Sequence, residues 1–355
     1  MRSLALILTV VLALAVGCGT PGAPQPPSLN IPKAISDLKA VRKGESVRLS
    51  WTAPSQTTDG ALFQHTGKMI VHRSIEGQSS SNVSELPLEP AHKRQKPAAE
   101  EWKDSITDLL RSNSADFAVY RIEAVNHSGK SAGQSNSASI PLVLTPPAPT
   151  DLQARTAPQG VSLSWTQMWP PLGHTNLSVQ FGYRVMRRLM EPNQQPVVVK
   201  QLNAGNETAV VMDTGIEWEK QYQYWVTPIT VWEKDDRQKG EVEGDDSNVV
   251  TITTKDVFPP AVPSGLEAVF SQVGQKSFID LTWNPNTDPD LAGYNVYRRT
   301  EETQAIKING GLLKTPAFRD DNVQPGTTYI YSVSAVDLRH NESAKSQEAS
   351  ETAPK

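Results

Sequence analysis

A few histidines, one cysteine and some knots of carboxylates and amides are the side chains of this 355-residue sequence that could do chemistry. His65, His72, His92, His127, His174 and His340 show no HxH, HxxxH or HExxH spacing, so they do not read as metal ligands. No second cysteine is present to build a zinc site, and no glycine loop suits a phosphate. Asp288-Pro289-Asp290, with Asn284 and Asn286 nearby, could offer oxygens to Ca²⁺. The same residue types make strand-connecting turns in which Asn and Asp bond backbone groups, and the turn is the preferred reading. GEVEGDDSN (240–248) reads the same way. Trp169 in QMWPPLG and Trp232 in TVWEKDD fall in loops or at a strand end, off the pattern of core residues. Indoles so placed either stack on a sugar ring or anchor a protein partner, or else cap a sandwich end or fill a domain joint. No catalytic set, metal site or cofactor site emerges, and the chain is expected not to be an enzyme.

The remaining reactive group is the thiol of Cys18. It follows a short positive segment, Met1-Arg2-Ser3, and an uncharged apolar run from Leu4 to Val16. Thirteen residues of helix at 1.5 Å each reach roughly 20 Å, short of the ~30 Å hydrocarbon core, so the run suits a signal peptide better than a membrane span. Ala15-Val16-Gly17-Cys18 resembles the lipobox of bacterial lipoproteins, with Ala15 where that family prefers leucine. The resemblance implies cleavage after Gly17 and a diacylglycerol on Cys18, which anchors the chain to a membrane through its N-terminal lipid. Gly19 as the next residue implies an outer membrane rather than an inner one where both exist. An ordinary secretory signal, or a thiol kept for an intermolecular disulfide, are the other readings of the same residues.

Beyond the anchor the chain repeats. DLKAVRKGESVRLSW (37–51), DLQARTAPQGVSLSW (151–165) and GLEAVFSQVGQKSFIDLTW (265–283) place Leu38, Leu152 and Leu266 at equal intervals. Each segment ends on alternating apolar residues closing on Trp51, Trp165 or Trp283, a period of two that marks a half-buried strand. Second shared strands are MIVHR (69–73), YRVMRR (183–188) and YNVYRR (294–299). Third ones are VYRIEAVN (119–126), YQYWVTPITV (222–231) and YIYSVSAVD (329–337). Short strands, frequent turn residues and proline-rich joints at TPPAPT (145–150) and FPPAVPS (258–264) point to β-sandwiches. The Arg pairs 187–188 and 298–299 read as solvated strand edges. In the first copy, EEWKDSITDLLRS (100–112) sets Trp102, Ile106, Leu109 and Leu110 at helical spacing, which an amphipathic helix would explain. The preferred reading follows the repeat, in which Trp102-x-Asp104 parallels Val211-x-Asp213 and Phe318-x-Asp320, so that WKDSI ends a strand and TDLLR forms a short helical turn.

These segments, in this order, resemble fibronectin type III domains in three tandem copies. VQPGTTYIY (323–331) carries the resemblance best, and it implies that Tyr329, and Tyr222 in the second copy, bond upstream backbone through their hydroxyls. The fold class expected is all-β: three tandem immunoglobulin-like sandwiches after a lipoprotein signal peptide. The expected divisions are 1–17 signal peptide, 18–33 lipidated proline-rich tether, 34–145 first domain with an insert at about 74–115, 146–257 second domain and 258–355 third domain. Lys and Arg total 34 against 38 Asp and Glu, so there is no electrostatic footprint for nucleic acid. The function expected is a non-catalytic, lipid-anchored cell-envelope protein that binds a protein or glycan or acts as a spacer. The alternative is an accessory glycan- or protein-binding subunit of an extracytoplasmic processing system.

Overall fold

The structure, a computed structural model, describes residues 29–355 except 76–78, 94–98, 113–115, 167, 171–175, 204–208, 235–237 and 275. Gly17, Cys18 and the signal segment lie outside the described residues, as does His174. The described residues are nearly all β. They group into two compact units: one within residues 1–145, 170–180 and 230–244, the other within 146–169, 181–229 and 245–355.

Each sequence repeat builds two facing sheets. In the first, β1 (Lys39–Lys43), β2 (Ser46–Thr52) and β5 (Ala99–Ser105) lie side by side as one end of an eight-stranded sheet; β4 (Ser81–Leu88), β3 (Gly67–Ile75), β6 (Phe117–Asn126) and β7 (Ser131–Gln134) form the opposing sheet, with β8 (Ala138–Pro141) also on β6. The helical turn α1 (Thr107–Ser112) follows β5, as its TDLLR sequence implies. In the second repeat, β9 (Thr150–Ala157), β10 (Gly160–Thr166) and β13 (Ala209–Asp213) lie in the order β13-β10-β9. Their opposite number is β12 (Val197–Asn203), β11 (Ser178–Leu189) and β14 (Gln221–Lys234), with β15 (Gln238–Glu243) and β16 (Val250–Thr253) both paired to β14. The third repeat sets β17 (Glu267–Val273), β18 (Lys276–Thr282) and β21 (Ala317–Asp320) against β20 (Ile306–Lys307), β19 (Leu291–Arg299), β22 (Thr328–Asp337) and β23 (Ala349–Thr352).

Alternation explains which side chains face inward. In β2 Val47, Leu49 and Trp51 are buried while Ser46, Arg48 and Thr52 are exposed, and Trp165 and Trp283 are likewise buried at the ends of β10 and β18. Three separate apolar clusters result, centred on these tryptophans. Trp51 donates its indole N–H to Met69 Sδ (3.3 Å). Trp165 and Trp283 instead meet Tyr183 and Tyr294 edge-to-face, at ring distances of 6.3 and 5.2 Å. At Gly160 the strands leave no space for a side chain: a Cβ there would lie 2.0 Å from the carbonyl oxygen of Asp213.

Two tyrosine corners close the later repeats. Gln324 N–H donates to Tyr329 Oη and Glu217 N–H to Tyr222 Oη, both at 2.9 Å. In the first repeat the corresponding residue is Ala118, fully buried, and Ile106 and Leu110 from the α1 segment pack into the same core.

A second device occurs in every repeat and ties its two sheets together. Asp104, Asp213 and Asp320 sit at or near the ends of β5, β13 and β21 with side chains only 12%, 4% and 5% exposed. Each accepts a hydrogen bond from a tyrosine hydroxyl of the opposite sheet: Tyr120 (2.7 Å), Tyr224 (2.8 Å) and Tyr331 (2.8 Å). Each is also paired with an arginine of that sheet: Arg73 at 2.6 Å, Arg187 at 2.9 Å and Arg298 at 2.7 Å. Arg187 and Arg298 lie over the corner rings of Tyr222 and Tyr329, 5.4 and 5.0 Å from the centroids. The arginine pairs therefore do not form solvated edges. Their first members are held between sheets, and only Arg188 and Arg299 turn outward, to Gln223 and Glu348.

Asp320→Ala leaves Tyr331 without its acceptor and Arg298 with only the carbonyl of Asn322 and no compensating charge, and is expected to cost the third repeat about 3–5 kcal/mol. Arg319→Ala, which breaks the exposed pair with Asp280, is expected to leave the urea midpoint nearly unchanged. Burial, reinforced by the adjoining aspartates, pushes the hydroxyls of Tyr120, Tyr224 and Tyr331 far above their ordinary 10.0. The folded chain holds these protons more tightly than the unfolded one, so the stability they supply is complete below about pH 10 and drains away above it. Thermal unfolding followed into alkali is expected to show that loss in the native chain and a smaller one in Tyr331→Phe.

Candidate functional site

Trp232 lies near the end of β14, where β14 and β15 extend into the first compact unit. There it meets Phe117 edge-to-face at 5.2 Å, and the backbone of Gly240 covers its other carbons so closely that a Cβ would sit 2.9 Å from the ring. Val143, Leu177 and Val242 complete a small apolar cluster around it. Polar contacts fasten the same place. Thr230 Oγ1 donates to Leu144 O (2.8 Å), Asn176 N–H donates to Asp116 Oδ1 (3.3 Å), and Lys234 pairs with Asp116 (3.4 Å). β15 runs parallel to β1 with Lys43 opposite Glu243, and Gly44 N–H donates to Glu243 O (2.7 Å). Arg42 is buried beneath this seam. It donates to the carbonyls of Gly44, Pro141 and Val143, and burial pulls its pKa down to about 10. Trp232 is thus a packing residue of this seam.

Trp169 is placed differently. The loop carrying it is pinned because Tyr183 Oη donates to Met168 O (3.0 Å) and accepts from Met168 N–H (3.2 Å). The indole leans on Tyr183 at 4.9 Å and lies nearly parallel to Phe181 at 6.5 Å. It remains half-buried, beside Met168, which is 59% exposed. Its indole N–H makes no hydrogen bond to any described residue.

The acidic stretches resolve into latches. Ala261 N–H donates to Asp288 Oδ1 and Asn286 Nδ2 to Ala261 O, tying the loop after Trp283 to the segment that leads into β17. In 240–248, Asp246 accepts from Thr227 Oγ1 (2.6 Å), while Asn248 exchanges two hydrogen bonds with the backbone of Leu152. Asn136 does the same with Leu38. Asp290 instead joins Asp256 and Asp337, with carboxylate oxygens all within 4.8 Å of one another. The set suits a hard cation by donor type, although Asp337 already accepts from the backbone of Arg339 and Asn341 and from Asn341 Nδ2. Burial raises the pKa of Asp256, and Asp337 and Asp290 add to the rise against the pull of the Phe258 N–H and Arg339. Sequence spacing could not find this trio, because its members come from the segment before β17, the turn before β19 and the end of β22.

Gly129-Lys130-Ser131-Ala132-Gly133 spells GxSxG, yet it turns one strand back on another, β6 to β7, not a strand into a helix. Ser131 Oγ donates to Glu123, whose other oxygen pairs with His72 (3.2 Å), so the histidine meets the carboxylate and not the hydroxyl.

Strand order and the tyrosine corners define the repeats as immunoglobulin-like β-sandwiches. No protein-family model matches the chain. It is similar to exoglucanase B of Cellulomonas fimi, 28% identical over 262 residues that make up 70% of this chain and 21% of that protein. It is also similar to amylopullulanase of Thermoanaerobacter thermohydrosulfuricus, 24% identical over 352 residues, 89% of this chain and 22% of that one. The chain therefore spans about a fifth of the length of the curated relatives it matches. Among solved structures it is similar to the FN1–FN3 domains of chicken CNTN1 (16% identity, 91% of this chain and 99% of that one, TM-score 0.26). A Fn3-like protein from Clostridium thermocellum is another (35% identity, 27% and 95%, TM-score 0.23).

Trp232→Ala empties the contact with Phe117 and Gly240 and is expected to lower the stability of the first compact unit by about 2–3 kcal/mol. Amide hydrogen exchange in β1 and β8 should accelerate in this variant, while exchange in the third repeat stays as in the native chain.

Proposed function

We infer that the chain is a non-catalytic, lipid-anchored protein of the bacterial cell envelope whose β-sandwich repeats serve as binding or spacer modules. The observation that carries the non-catalytic reading is where the buried ionisable groups go. Asp104, Asp213 and Asp320, with Arg73, Arg187 and Arg298, are committed to holding sheet to sheet. Support for a modular role comes from the relatives, whose shared stretch is about a fifth of their length. The anchor rests on the apolar segment before Cys18 and on its resemblance to a lipobox. Two acyl chains on one residue hold a protein to a bilayer where one alone gives only marginal binding. Among the described residues no helix is long and apolar enough to cross a membrane.

A second reading is favoured by the names of the relatives, exoglucanase and amylopullulanase. In it the chain is an accessory subunit of a glucan-processing system and holds a glucan while another protein cuts it.

Cells fed labelled palmitate are expected to incorporate it into the native chain and not into Cys18→Ser, which should leave the membrane fraction. Equal labelling of both, or a salt-extractable native protein, would overturn the anchor.

A further inference from the structure

We propose that Trp169 is a stacking platform for a pyranose ring of a glucan chain. The inference rests on the second reading above and names its site. Two tryptophans lie off the core pattern, and the structure separates them. Trp232 has Phe117 against it and the Gly240 backbone over it. The aromatic neighbours of Trp169, Phe181 and Tyr183, are alternate residues of one strand and therefore share one face of it. They back the indole from that face.

Three properties then suit a sugar. The backbone next to the ring is held at both polar groups of Met168 by Tyr183 Oη. Its N–H is uncommitted among the described residues and can donate to a hydroxyl. Met168, 59% exposed, extends the apolar surface alongside. A pyranose offers an apolar C–H face ringed by hydroxyls, the complement of an aromatic plane with a donor at its edge. The other repeats lack the feature. Four residues after the core tryptophan they carry Ser55 and Thr287 where the second carries Trp169.

The test uses the mature-length chain carrying Cys18→Ser, titrated with maltohexaose and separately with cellohexaose. Calorimetry measures affinity, and the indole N–H resonances are followed by NMR. One of the two sugars is expected to bind and to shift the Trp169 resonance, identified by its loss in Trp169→Phe. Trp169→Ala should weaken binding at least about tenfold, and Trp232→Ala should not. Trp169→Phe keeps the packing on Tyr183 and removes the donor, so it should bind with intermediate affinity even if the alanine variant folds poorly. Binding that leaves the Trp169 resonance unmoved overturns the platform while leaving the accessory reading intact. Absence of binding to both sugars overturns the platform and the accessory reading together, and palmitate labelling still decides the anchor.

Discussion

A carboxylate buried between two sheets is the constraint on which each repeat depends. An aspartate at the end of an inward-facing strand has left water, and it is tolerable there only with its charge compensated and its oxygens bonded. Arginine supplies the charge and tyrosine the second donor, both from the facing sheet. The arrangement does mechanically what a disulfide does in antibody domains, which this single-cysteine chain cannot have. It also fixes register. A slip of one residue would turn Asp320 outward and Arg319 inward, with no partner for the buried cation.

The same logic explains the departure of the first repeat. Ala118 replaces the corner tyrosine, so Arg73 has no corner ring beneath it and is held by Asp104 and Tyr120. The volume lost is refilled by Ile106 and Leu110 on and before α1. The edge of β1 is covered as well, by β15, in a seam whose polar contacts join residues far apart in the chain, such as Asp116 with Asn176 and Gly44 with Glu243. An unpaired strand edge invites pairing with other chains, and a parallel strand from the same chain occupies it here.

What the sequence disclosed follows from what periodicity encodes. Alternation reports in or out, and so Trp51, Trp165, Trp283 and the strand cores were legible. The corner tyrosines were legible because their bonds span only five residues. The aspartates were visible as a recurring position, but not as acceptors, since their partners lie 11 to 31 residues away in another sheet. Reading Arg187 and Arg298 as surface charge was the natural error. Adjacent residues of a strand face opposite ways, so one arginine of each pair had to point toward the core side. The roles of Trp169 and Trp232 were illegible for a different reason. Both have the composition of a loop aromatic, and only the backbone of Gly240, eight positions from one of them, distinguishes the two.

The buried polar groups of the sandwiches serve the scaffold first. Inter-sheet aspartates, corner hydroxyls and loop asparagines are held by backbone or by one another, and a group so held cannot also meet a substrate without loosening a sandwich. Recognition by such a chain has to use what the scaffold does not need. An aromatic side chain suits that role, because it presents a large apolar area at little cost in conformational entropy and requires no buried charge. On the proposed reading, a lipid-held module would need only modest affinity per site to keep a polymer at a surface, the scale expected of one aromatic contact.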